Sequence, residues 1–184
     1  MTFYFGPTAH VLRVSLRYTE PVVWRRMVVA SDMPLPKFAT ALEKAMGWEG
    51  YHLHSFDVGG VLFGSPDDDD DRFINEKAAR VNHVLPRVES LMQWDYDFGD
   101  GWEHDVIVEA IEPLEPKTKY PLVLAGEQCC PPEDVGGPPG YQELLRVLSD
   151  PKDEEHEHMR SWAPENFAPD VFDLVAANRR LRSK

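Results

Sequence analysis

The residues with the most chemical potential in this chain are gathered in one run, Trp94-Asp95-Tyr96-Asp97-Phe98-Gly99-Asp100-Gly101-Trp102-Glu103-His104. Met92, Trp94, Tyr96 and Phe98 alternate with Gln93, Asp95 and Asp97. A Gly-Asp-Gly break and a second strand over about 103–112 follow, which predicts a β-hairpin. On a regular strand Asp95 and Asp97 share a face, Asp100 sits at the tip and His104 opens the return strand. Three carboxylates and an imidazole placed so can hold a divalent metal, or set a histidine beside a carboxylate as a general base. The same residues also suit pure turn architecture, with Asp97 and Asp100 accepting neighbouring backbone N–H groups. Both readings remain open at this level.

A second set of ligand types is His52 and His54. In a strand an H-x-H pair puts both rings on one face, about 7 Å apart at Cα, a spacing two metal ligands can share. It equally describes the polar side of a strand, and it gains interest only if the sheet brings the pair beside His104. Cys129-Cys130-Pro131-Pro132-Glu133-Asp134 offers two thiols and two carboxylates. Bridging adjacent cysteines is strained, and no C-x-x-C spacing is present, so neither a disulfide framework nor a structural zinc site is expected. His156 and His158 are two apart and diverge on a helix. The DFG triplet at 97–99 has neither a Gly-rich phosphate loop nor an HRD segment to accompany it, which excludes a kinase.

The elements that must position these residues are readable. Leu12, Val14, Leu16 and Tyr18 alternate with Arg13, Ser15 and Arg17 as one strand, and a second at about 22–30 follows Thr19-Glu20-Pro21 closely enough for a hairpin. Arg13, Arg17, Arg25 and Arg26 are expected on its wet side. Leu35, Phe38, Ala39, Leu42 and Met46 trace one helical stripe, with prolines in its first turn and Gly47 at its end. Residues 51–64 read as strands broken at Gly59-Gly60, and 121–125 as another. Residues 129–140 form a loop of defined path, dense in Pro and Gly. Tyr141, Leu144, Leu145 and Leu148 mark a helix, with two more expected at about 152–162 and 170–182. The order argues for an α+β domain, a single unit over 1–184 with a mainly antiparallel sheet and a C-terminal group of helices.

Charge restricts the partners. The 184 residues carry 19 Lys and Arg against 32 Asp and Glu, a net charge of −13. Residues 1–64 are nearly neutral, so the excess lies beyond them, and five consecutive aspartates at 67–71 suggest a solvated acidic loop at about 65–72. That loop lacks the Gly and Glu positions of a calcium-binding loop. Such a field repels phosphate backbones and disfavours non-specific nucleic-acid binding, leaving only a local basic face through Arg13, Arg17, Arg25 and Arg26. No apolar run long enough to span a membrane and no signal-peptide series is present, so a cytoplasmic protein is expected.

Trp24-Arg25-Arg26, Ala45-Met46-Gly47-Trp48 with His52-Leu53-His54-Ser55-Phe56, the segment from Tyr96 to His104, and Cys130-Pro131-Pro132-Glu133-Asp134 with Gly136-Gly137 and Gly140-Tyr141 together resemble the plasmid pRiA4b ORF-3-like family. The similarity runs in order from about residue 10 to 178. It implies an α+β fold and an uncharacterised accessory or binding role associated with mobile elements. Val135 departs from the resemblance, since the family often has a further cysteine there, which weakens a thiol-based metal site. A resolvase-like label attaches to some members, but this chain has no serine arm and no basic tail to support it. Two functions follow as expectations. In the first, the DFGDGWEH hairpin and the CPPEDVGG loop form one recognition surface for a protein or small ligand, with Trp48, His52, His54, Asp97, Asp100, Trp102, His104, Glu133 and Asp134 on it; Tyr51 and Trp94 add aromatic area. The other is a metal-dependent hydrolase or nuclease with His52, His54, Asp97, Asp100 and His104 as ligands to a divalent metal and Glu103 or Glu133 as base.

Overall fold

The computed structural model describes residues 6–65 and 72–183, so the acidic run at 67–71 lies outside the described residues. Strands β1 (Thr8–Leu16) and β2 (Trp24–Ala30) form the expected hairpin, followed by α1 (Leu35–Met46), β3 (His54–Val58), β4 (Val61–Gly64) and β5 (Phe73–Asn75). A short 3-10 turn and the single-turn α2 (Val81–Val84) lead into β6 (Leu91–Tyr96) and β7 (Trp102–Pro113), the hairpin anticipated from alternation. Then come β8 (Leu122–Glu127), α3 (Gly137–Ser149), α4 (His156–Trp162) and α5 (Leu174–Arg182). All eight strands join one sheet in the order β5-β4-β3-β6-β7-β1-β2-β8, antiparallel except for the β4/β5 pair. This is the α+β architecture that the element order implied.

The core forms on one face of that sheet. Leu12, Val14 and Leu16 of β1, Met27 and Val29 of β2, Met92 and Trp94 of β6, and Val106 and Val108 of β7 join the buried side of α1 and of α3 in one apolar cluster. Each large apolar side chain removed from water in this way stabilises the fold by about 1.5 to 3 kcal/mol. Helix α1 buries Leu35, Phe38, Ala39 and Leu42 at helical spacing, and Pro36 occupies its first turn, where its missing N–H costs nothing. Gly47 ends it at φ +116, returning its N–H to the Glu43 carbonyl at 2.8 Å. Only glycine adopts that backbone freely.

Three expectations change. Helix α3 begins at Gly137 rather than Tyr141, because Pro138 and Pro139 fit its opening turn instead of prolonging the loop. The helix expected at 152–162 is confined to α4. The third concerns Arg25, expected on the wet side of the N-terminal hairpin. Met27 and Val29 face the core, so period-2 alternation turns Arg25 inward as well, and it is 1% exposed. Arg13, Arg17 and Arg26 do lie on the outer face, where Arg17 reaches Glu103 at 2.8 Å, Arg26 is bidentate on Glu109, and the Arg13 guanidinium covers the Trp24 ring at 4.2 Å.

Candidate functional site: a hairpin and loop junction beside a cleft

The strand β6 stops at Tyr96 because Asp97 turns left-handed, with φ +57. The Asp97 Oδ1 then accepts the N–H groups of Gly99 at 3.0 Å and Asp100 at 3.4 Å, so the carboxylate organises its own turn. Asp95 stays in register opposite Glu103 on the outer face, where burial and the nearby Glu103 and Asp57 carboxylates push its own carboxyl up. Asp95 and Asp97 therefore do not share a face.

The hairpin tip is joined to the CPPED loop. Asp100 Oδ2 accepts the Gly136 N–H at 3.2 Å. A Cβ on Gly137, which sits at φ +67, would lie 2.1 Å from the Asp100 carbonyl oxygen, so only glycine allows this approach. The Tyr96 hydroxyl donates to Glu133 Oε1 at 2.6 Å, and the Glu49 N–H donates to the same oxygen at 3.3 Å. Burial and this carboxylate raise the Tyr96 phenol above its ordinary range, keeping it a donor. The His52 ring lies edge-on to Tyr96, with Nδ1 3.6 Å from Asp97 Oδ2 and Nε2 3.5 Å from Asp134 Oδ1. One nitrogen and two carboxylate oxygens from His52, Asp97 and Asp134 lie within 4.8 Å of one another, a donor set that suits a divalent cation.

Behind this junction opens a cleft of about 710 Å³, between the CPPED loop and residues 162–173. Trp48 forms one wall, its indole N–H held by the Pro131 carbonyl at 3.1 Å, while Cys129, Cys130, Phe167 and Phe172 form others. Both cysteines are free, and burial pushes both thiols up, so they stand as neutral walls rather than thiolates. Arg25 and Arg180 line the same cleft.

Comparison with known proteins agrees with this architecture. The family model described as plasmid pRiA4b ORF-3-like protein matches residues 8–176. The chain belongs to the plasmid pRiA4b ORF-3-like family. Within reach of that family, it is 37% identical over 169 residues to the uncharacterized protein y4hQ of Sinorhizobium fredii (strain NBRC 101917 / NGR234), covering 91% of this chain and 84% of that one. The crystal structure of MM3350, a protein of unknown function from Methanosarcina mazei Go1, superposes with a TM-score of 0.85 at 32% identity, over 92% of this chain and 97% of the other. No helix among the described residues is long and apolar enough to cross a membrane.

On this family fold the residues expected at the site divide. His52, Asp97, Asp100, Glu133 and Asp134 converge. His104 does not, since it faces inward with Trp102, Val106 and Val108 and is fully buried. Its Nδ1 meets the Trp94 carbonyl at 3.1 Å, and its ring packs 4.5 Å from Trp94 and 5.3 Å from Trp48. Burial pulls it down to about 3, so it stays neutral across the ordinary pH range. Its Nε2 and the indole N–H groups of Trp94 and Trp102 have no protein partner among the described residues. Trp102, Trp94 and Trp48 are core side chains beneath the site rather than surface aromatics, leaving Tyr51 exposed. His54 turns away from His52, with Nε2 2.9 Å from Glu76 and Nδ1 3.8 Å from Glu43, whose carboxyl burial pushes up. Glu103 pairs with Arg17 on the outer face. Arg25 and Arg180 at the cleft, and Tyr96 at the junction through Glu133, are the residues that sequence reasoning missed. Parity counted back from Met27 is the signal that could have found Arg25.

Proposed function

We propose that the protein is a small-ligand binding domain, an accessory module of mobile elements, whose CPPED loop, braced by the DFGDGWEH hairpin, lines one side of the recognition cleft. The joining of the two loops at the cleft rim carries this reading, through Asp100 to Gly136, Tyr96 to Glu133, and His52 between Asp97 and Asp134. Two loops about 35 residues apart in sequence, rigidified against each other by left-handed turns, are a pre-organised frame, which lowers the ordering cost of binding. The cleft volume is in the range that small-ligand sites occupy. The mobile-element association is supported by the family description, which is that of a plasmid reading frame.

A second reading is favoured by the His52, Asp97 and Asp134 donor set. A divalent metal held there would sit beside Glu133, the one proposed base that lies on the cleft, and would supply Lewis-acid chemistry to a hydrolytic reaction. His54, Asp100, Glu103 and His104 have no part in that version, being engaged elsewhere. One set of amide NMR spectra tests both. Fragments that shift residues 129–134 and 162–173 support the binding reading. Manganese that broadens His52 and Asp97 in the wild type, and not in His52→Ala, supports the metal reading. A cleft that takes no fragment sinks the first, and broadening unchanged by His52→Ala sinks the second.

A further inference from the structure

We infer that the ligand of this cleft carries an oxyanion, a carboxylate or phosphate, on an apolar body, with the oxyanion seated on Arg180 and Arg25 behind it. This names the ligand class for the binding reading above and rests on it. Arg25 is almost completely buried, yet no carboxylate lies within 4.0 Å of it among the described residues. It donates Nε to the Ala45 carbonyl and Nη1 to the carbonyls of Trp24 and Glu127. Those carbonyls take three of its five N–H hydrogens and leave the Nη2 pair without a partner among the described residues, and a buried cation also requires a compensating charge. Arg180 donates Nε to the Lys44 carbonyl at 2.9 Å and makes no other side-chain hydrogen bond or ion pair among the described residues, so the N–H groups of both its Nη atoms are uncommitted there.

Both arginines cap the last turn of α1, through the Lys44 and Ala45 carbonyls. A helix C-terminus offers only about half an elementary charge, so most of two positive charges is left over. In a chain with 32 acidic residues, the absence of a carboxylate within 4.0 Å of either one among the described residues stands out. Of the four carboxylates that line the cleft, three are occupied, Glu133 by Tyr96 and the Glu49 N–H, Asp134 by His52, and Asp173 by the Ala176 N–H at the start of α5, while the fourth, Glu49, makes no ion pair with either arginine. Gly47 leaves room for Arg180 at the cleft, since a Cβ there would lie 3.3 Å from its Nη2. The walls suit an apolar body. The Phe172 ring stacks on the Arg25 guanidinium at 4.1 Å, and Trp162 and Val171 stand exposed at the mouth. A planar guanidinium with free Nη groups is suited to bidentate capture of carboxylate or phosphate.

The test titrates the full-length protein with phenyl phosphate, benzoate and benzylamine, reading amide NMR shifts and calorimetric affinity. At least one of the two anions is expected to shift residues 129–134 and 162–173, and which one binds tells phosphate from carboxylate. Arg180→Gln should weaken that binding at least tenfold, Arg180→Lys should restore part of it, and Arg179→Gln, a change on the neighbouring exposed residue, should leave it unchanged. Far-UV circular dichroism confirms that each variant folds. Anion binding that survives Arg180→Gln at full strength overturns the inference. So does preferential binding of benzylamine, or of a neutral fragment such as benzamide, although either result keeps the cleft as a binding site. If none of these compounds enters the cleft, both this inference and the binding reading fail.

Discussion

Arg25 and Arg26 are neighbours on one strand and live in opposite worlds. Arg26, on the outer face, is held by Glu109 in water, whereas Arg25, one residue away, is buried on three carbonyls with Phe172 across its plane. An exposed ion pair is screened and its two ends can swap water for each other, so it contributes little. A buried guanidinium has no such exchange, and each lost partner leaves a group unpaired. The same residue type is thus a solubility device on one face and a fixed structural cation on the other. The difference is decided by one step of strand alternation.

Breaking the inner side should have the largest effect. Arg25→Met removes three hydrogen bonds from buried or half-buried carbonyls and should lower unfolding free energy by about 3 kcal/mol, measured by urea denaturation. A loss under about 1 kcal/mol would mean that those carbonyls find water instead. The other buried titratable group sharpens the contrast through pH. Because burial holds His104 at about 3 in the native state, the unfolded chain takes up a proton near 6.5 that the native chain refuses. The stability is therefore present above about pH 6.5 and falls as pH drops toward 3. His104→Phe abolishes that linkage. The difference between the wild-type and variant stability profiles should change by about 2 kcal/mol between pH 7 and pH 5, with the carboxyls raised by burial, Glu43 and Asp95, cancelling between the two proteins. Parallel profiles would place a protonatable His104 in contact with solvent. The smallest effect belongs to the outer face, where Arg26→Ala should leave the urea midpoint unchanged at about 0.15 M salt. A clear shift there would erase the distinction between the two arginines.

The hairpins, α1 and the Gly47 stop were legible because the signals are local: alternation, helical spacing and a residue that tolerates positive φ. The Asp97 turn was legible in chemistry but not in parity. Its left-handed backbone ended the strand one residue early and sent Asp95 and Asp97 to different faces. His104 could have been placed by parity too, since it shares a face with Trp102, Val106 and Val108.

The sequence by itself determined the α+β class, the family and the two loops that carry the unusual residues, because each depends on short-range pattern or on a run of specific types. Only the tertiary structure decided which of those residues meet. Asp100 and Gly136, Tyr96 and Glu133, and the Arg25 and Arg180 pair on α1 come from segments 36, 37 and about 155 residues apart, joined by the packing of helices on one face of the sheet. Burial did the rest. It drew His104 and the tryptophans into the core and left Arg25 and Arg180 at a cleft with no carboxylate within 4.0 Å among the described residues, and burial depends on the whole chain's arrangement rather than on any segment of it.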